Sequence, residues 1–188
     1  LVPIVSFVGL GGRCRHCRRK ISRQYPIIEA VSAVLFAAVF YRLMTLGSFD
    51  LVYLLYLFSI VSILIIVSTI DIKHSQIPTT FVYIGAGIAL FYDYFSQTSD
   101  DFVRFVLSAF ILAFAFSLIV IVTRGRGMGV GDIPLVFLIG LVLGWPQALV
   151  GIFLAFVFGA GFALTLVAFG KKKFGQTVPF APFLTMGT

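Results

Sequence analysis

The sequence is dominated by long apolar segments joined by short charged or polar turns. Residues 27–46, 51–70, 77–95, 102–123 and 147–169 each hold about the 20 residues that a helix needs to cross a bilayer. Residues 134–145 form a shorter apolar run, and residues 178–188 begin another. No water reaches backbone groups inside a bilayer, so such segments must be helices. The predicted fold is therefore all-α: a polytopic membrane helical bundle with about six to seven transmembrane helices. Composition agrees, with 60% hydrophobic and 11% charged residues, far from an ordinary soluble domain. A disordered chain is excluded by 22 Phe and 7 Tyr. Residues 1–10 are too short to span and read as an interfacial or loop segment. Pro78 suits the first turn of its helix. Residues 1–26 form a cysteine-containing segment on the cytoplasmic face, and 27–188 form the membrane-embedded part. Both ends fall in apolar stretches without an initiating Met, so the sequence reads as a piece of a longer chain.

Charge sets the orientation. If the basic loop 11–23 is cytoplasmic and every segment crosses, twelve of the fourteen Lys and Arg fall on that side, including Lys171–Lys173. Only Arg42 and Arg104 fall opposite, with Asp50, Asp93, Asp100 and Asp101. Counting 134–145 as a crossing keeps this segregation, since otherwise Lys171–Lys173 would move outside. The net charge of +7 is thus a topology signal and a means of contacting membrane lipids. It argues against nucleic-acid binding, for which no basic helix or stacking platform is visible. Cys14 and Cys17, three apart on a basic loop, read as a metal half-site or a redox pair.

Three acids remain, Glu29, Asp71 and Asp132, all at the cytoplasmic ends of apolar segments. Carboxylates near the membrane are costly and point to function. Asp71 and Asp132 are 61 positions apart in sequence but at one depth and on one side. Two such carboxylates brought together share a proton. The ionised member can take a proton from water while the protonated member polarises a peptide carbonyl, which is aspartic peptide hydrolysis. The competing readings are a helix N-cap for Asp132 and an interfacial pair with Lys73 for Asp71. Ahead of Asp132, glycine recurs at 125, 127, 129 and 131. This stretch is either a substrate-contacting strand or a linker. Gly129, Gly131, Glu29 and Lys73 are the substrate-side candidates. Glu29 would meet a substrate amine or a methyl-transfer site, or else pair with Arg23.

Together these residues resemble a known family. Asp71 to Pro78, followed by Gly129-Val130-Gly131-Asp132, is similar to the two-aspartate GxGD signature of type IV prepilin peptidases. The match extends to Gly12–Cys17 with Ile21–Pro26 and Glu29, and to Pro179–Phe183, where Ala181 replaces a glycine. The resemblance implies a membrane aspartic endopeptidase of the bacterial inner membrane. It would remove the basic leader of a prepilin or pseudopilin on the cytoplasmic side, with Asp71 and Asp132 as the catalytic pair and no cofactor for proteolysis. It further implies N-methylation from S-adenosylmethionine, and a structural zinc of which Cys14 and Cys17 would supply half the ligands. Two alternatives remain open: a GxGD intramembrane protease cleaving within the apolar span, and a proton-coupled transporter using its carboxylates.

Overall fold

The computed structural model describes residues 3–45, 47, 49–125, 128–169 and 179–188. Among these every regular element is an α-helix: α1 (Pro3–Gly9), α2 (Gln24–Thr45), α3 (Leu51–His74), α4 (Thr79–Ser96), α5 (Ser99–Val122), α6 (Asp132–Leu143), α7 (Gln147–Ala168) and α8 (Ala181–Met186). Four of them, α2, α3, α5 and α7, are long and apolar enough to cross a membrane. The protein is a helical membrane protein. Helix α6, with 12 residues, is the short apolar segment anticipated from sequence. Arg126, Gly127, Lys171–Lys173 and Val178 lie outside the described residues. Large apolar side chains stay exposed along the helices, such as Phe91, Phe114 and Phe153, as a lipid-facing surface requires.

The chain divides into two compact units, Leu1–Ile65 and Ile66–Thr188. In the first, residues 3–9 coil into α1, about 10 Å long and too short to span. The chain then reverses through Gly11 and Gly12, both with positive φ, into the cysteine loop. That loop is closed by one antiparallel bridge, Arg13 to Lys20, and by the Cys14 N–H donating to the Arg19 carbonyl at 2.9 Å. Ser22 Oγ accepts the Gln24 N–H at 3.3 Å as α2 opens. Phe36 of α2 and Phe58 of α3 meet with ring centroids 4.8 Å apart.

The second unit is built around α6, which is apolar on every face and therefore central. Leu135, Val136, Leu138, Ile139 and Leu141 are all essentially inaccessible. Helices α4 and α5 cover α6, and α5 comes so close that a Cβ on Gly140 would sit 2.5 Å from Ala109 Cα. Phe110 and Phe137 add an edge-on ring contact at 5.2 Å. Helix α5 starts at the Thr98 N-cap, whose Oγ1 accepts the Asp101 N–H at 3.3 Å. It ends where Gly125, at φ +72, donates its N–H back to the Val120 carbonyl at 2.9 Å. Helix α8 lies on α7, with Gly187 against Gly151 and Phe183 against Phe162.

One sequence expectation changes. Pro78 is not in the first turn of α4 but is its N-cap, with a non-helical ψ of 89. Asp93 of α4 is only 3% exposed, and its Oδ2 has no hydrogen-bond partner among the described residues.

Candidate active site

Asp71 stands three residues before the end of α3, and Asp132 is the first residue of α6. Each is only 5% exposed, and both belong to the second unit. The fold brings them within electrostatic reach, Asp71 acting on Asp132 as a charged neighbour. Each is held by one backbone donor on the same atom type. The Ala181 N–H donates to Asp71 Oδ2 at 3.1 Å, and the Gly129 N–H donates to Asp132 Oδ2 at 3.0 Å. Among the described residues the Oδ1 atoms take no hydrogen bond, which leaves one oxygen of each carboxylate for water or substrate.

The geometry disposes of both competing readings. Asp132 does not cap α6. Its N-cap is Gly131, and the Asp132 carboxylate turns back to the preceding loop instead. Lys73 is exposed and makes no ion pair with Asp71, since Arg104–Asp101 on the surface is the ion pair found among the described residues. His74 is exposed as well.

The pair is recessed. Gly140 of α6 lies against Ala109 of α5, and the two helices run antiparallel. Asp132 is eight residues before Gly140, while α5 continues thirteen residues beyond Ala109 to Val122. At about 1.5 Å per residue, α5 therefore rises about 8 Å past Asp132. Both carboxylates are buried, so charge interactions between them are screened less than at an exposed surface.

The glycines before Asp132 have distinct local reasons. A Cβ on Gly131 would lie 3.2 Å from Ile77 Cβ, so glycine lets this loop press onto the α3–α4 connection. Gly129 is exposed and provides the N–H for Asp132. Ala181 is the site residue that sequence reasoning missed. Its signal in the sequence is the Pro179–Phe183 stretch, whose resemblance to the family assigns it no role. A hydroxyl contact, Ser68 Oγ to Thr185 Oγ1 at 2.6 Å, fastens the same two segments one helical turn away.

Glu29 belongs to the first unit, half-buried on α2 and without the anticipated Arg23 pair. Cys14 and Cys17 are free thiols on the loop. The Cys17 and His16 N–H groups, followed by the Cys17 thiol, hold the Cys14 thiol below its usual range. That favours the thiolate a metal would need. Yet no group of three or more His, Cys, Asp or Glu among the described residues is placed to hold an ion. Among the described residues these two thiols would supply at most two of the four ligands of a zinc site.

Comparison with known proteins bears on the whole arrangement. Residues 58–164 match the type IV leader peptidase family, and residues 1–43 match the bacterial peptidase A24 N-terminal domain. A prepilin leader peptidase/N-methyltransferase of Bacillus subtilis strain 168 is 32% identical over 194 residues, covering 100% of this chain and 73% of the relative. Proteins of the same name from Burkholderia pseudomallei strain K96243 and Pseudomonas aeruginosa PAO1 are 29% and 28% identical, over 99% and 98% of this chain. The chain spans 60% of the length of the Burkholderia relative and 63% of the Pseudomonas one. No solved structure matches it. With a family model over more than half its length and the paired aspartates in one buried site, the chain belongs to the type IV leader peptidase family.

Proposed function

We propose that the chain carries the catalytic part of a prepilin leader peptidase, a membrane aspartic endopeptidase with Asp71 and Asp132 as its acid–base pair. The carrying observation is the convergence of these two buried carboxylates, each tethered by one backbone N–H. One ionised aspartate removes a proton from water, whose oxygen attacks the scissile carbonyl carbon. The protonated partner donates to the carbonyl oxygen. Collapse of the tetrahedral species breaks the C–N bond, and the departing amine takes up a proton. The Ala181 and Gly129 N–H groups fix which oxygens remain free for this exchange. Gly129 and Gly131 border the site, and the exposed loop there would lie along an extended substrate backbone. Lys73 serves as an inside-facing anchor.

The distribution of Lys and Arg supports an active site facing the cytoplasm, and the family supports a bacterial inner-membrane setting with a prepilin or pseudopilin substrate. The names of the relatives support N-methylation as a second activity. S-adenosylmethionine would be the methyl donor for that second activity.

The test is incubation of detergent-solubilised protein with a prepilin, comparing wild type with Asp71→Asn and Asp132→Asn. Each variant is expected to lose at least about 100-fold in rate. Full processing by either one overturns the assignment. Sequencing the product's N-terminus separates cleavage at the membrane edge from cleavage inside the apolar span.

A further inference from the structure

Helix α8 begins with one donor to spare. Its N-cap, Phe180, makes no side-chain cap, and its second residue, Pro182, has no N–H. The Phe183 and Leu184 N–H groups both go to the Phe180 carbonyl, at 3.0 and 3.2 Å. Only the Ala181 N–H is left to find an acceptor outside the helix. Ala181 is fully buried, out of reach of water, and that acceptor is Asp71 Oδ2 at 3.1 Å. One turn back on α3 and one turn on along α8, Ser68 Oγ meets Thr185 Oγ1 at 2.6 Å. Thr185 Oγ1 also donates to the Pro182 carbonyl at 3.0 Å, so the same hydroxyl reaches the residue that follows Ala181. On its other flank α8 rests on α7 through rings, Phe180 on Phe156 at 5.0 Å and Phe183 on Phe162 at 5.4 Å. Ring contacts bury apolar area without fixing a direction, whereas the polar links to α3 are directional.

We propose that Thr185 is a positioning residue for the aspartate pair. With Ser68 it fixes α8 on α3 so that the Ala181 N–H holds Asp71 Oδ2 and leaves Oδ1 to the reacting water or carbonyl. This rests on the reading of Asp71 and Asp132 as the acid–base pair. The last torsion of an aspartate is broad, so one donor orients the carboxylate only if the donor itself is held in place. Thr185 supplies that second point of attachment. Pro182 ensures that a single N–H, and not a competing neighbour, faces the carboxylate. A misplacement of about 1 Å costs about 100-fold in rate, so loosening one of the two links should cost part of that, about tenfold.

The experiment measures kcat and KM for prepilin cleavage by the detergent-solubilised chain and by Thr185→Val, Thr185→Ser, Ser68→Ala, the double variant of Ser68→Ala with Thr185→Val, and Asp71→Asn. Thr185→Val keeps the shape and removes the hydroxyl. Its kcat should fall about tenfold with KM within about threefold, because substrate binding is left alone. Thr185→Ser keeps the hydroxyl and should stay within about threefold of wild type. The double variant should be no slower than the slower single one, since the two hydroxyls form one link. Ser68→Ala carries the test if Thr185→Val fails to fold. Amide hydrogen exchange of Ala181 in micelles is a second readout that needs no cleavage. It should speed up about tenfold in Thr185→Val and little in Thr185→Ser. A wild-type kcat in Thr185→Val, a Thr185→Ser as slow as Thr185→Val, a change in KM alone, or unaltered Ala181 exchange in Thr185→Val overturns the proposal. Thr185→Val at full rate beside an inactive Asp71→Asn removes this role alone, whereas full processing by Asp71→Asn removes the acid–base reading and this role with it.

Discussion

The backbone N–H of Ala181 donates to Asp71 Oδ2 at 3.1 Å, joining residues 110 positions apart in the buried part of the second unit. Ala181 is itself fully buried, so its Cβ has no room to grow. Ala181→Gly keeps the donor and is expected to cost about 0.5–1 kcal/mol of stability, with prepilin processing within a few-fold of wild type. Ala181→Leu overpacks the site by about 1–3 kcal/mol and displaces the donor. Its processing rate should fall by tenfold or more. Cleavage assays and thermal unfolding in micelles, run on both variants, check this. An Ala181→Leu protein as active as Ala181→Gly would show that the donor does not position Asp71.

The Ser68–Thr185 contact at 2.6 Å ties α3 to α8 beside that donor. Interhelical hydrogen bonds in membranes average about 0.6 kcal/mol. A double-mutant cycle of Ser68→Ala and Thr185→Val, read by reversible unfolding in micelles, should give a coupling energy near that value. A zero coupling would mean that the two hydroxyls contribute independently.

Close approach of α5 and α6 depends on Gly140. An added Cβ would meet Ala109 backbone at 2.5 Å, and backbone cannot swing away as a side chain can. Gly140→Ala should therefore destabilise by about 1–3 kcal/mol and shift Asp132, which α6 carries. Gly161 of α7 has open space around its Cβ position. Gly161→Ala should be neutral or stabilising by up to about 1 kcal/mol, which makes it the control. Thermal unfolding of the pair decides.

Asp93 is 3% exposed, with Oδ2 unpartnered among the described residues. Burying a carboxylate without a full set of partners is unfavourable. Asp93→Asn keeps the shape and removes the charge, so stability at neutral pH should be unchanged or raised by about 1 kcal/mol. Unfolding midpoints measure it. A loss above about 2 kcal/mol would mean that the carboxylate is held by a group the unfolding experiment breaks.

Much of this architecture was legible in the residues. The membrane-crossing helices α2, α3, α5 and α7 follow from apolar length, because the cost of placing backbone in lipid is local and accumulates along one segment. The short α6 was visible for the same reason. Asp71 and Asp132 stood out because so few acids interrupt so much apolar sequence. Helix ends were less legible: Pro78 moved from first turn to N-cap because ψ there is set by the connection from α3. What only the tertiary structure decided is proximity. That Ala181 reaches Asp71, that the Asp132 carboxylate turns to Gly129 rather than capping α6, and that Glu29 lines a cavity without its Arg23 partner all depend on contacts between segments. Hydropathy is a property of each residue and can be summed along a chain. A hydrogen bond or a cavity exists only once separate segments are packed side by side.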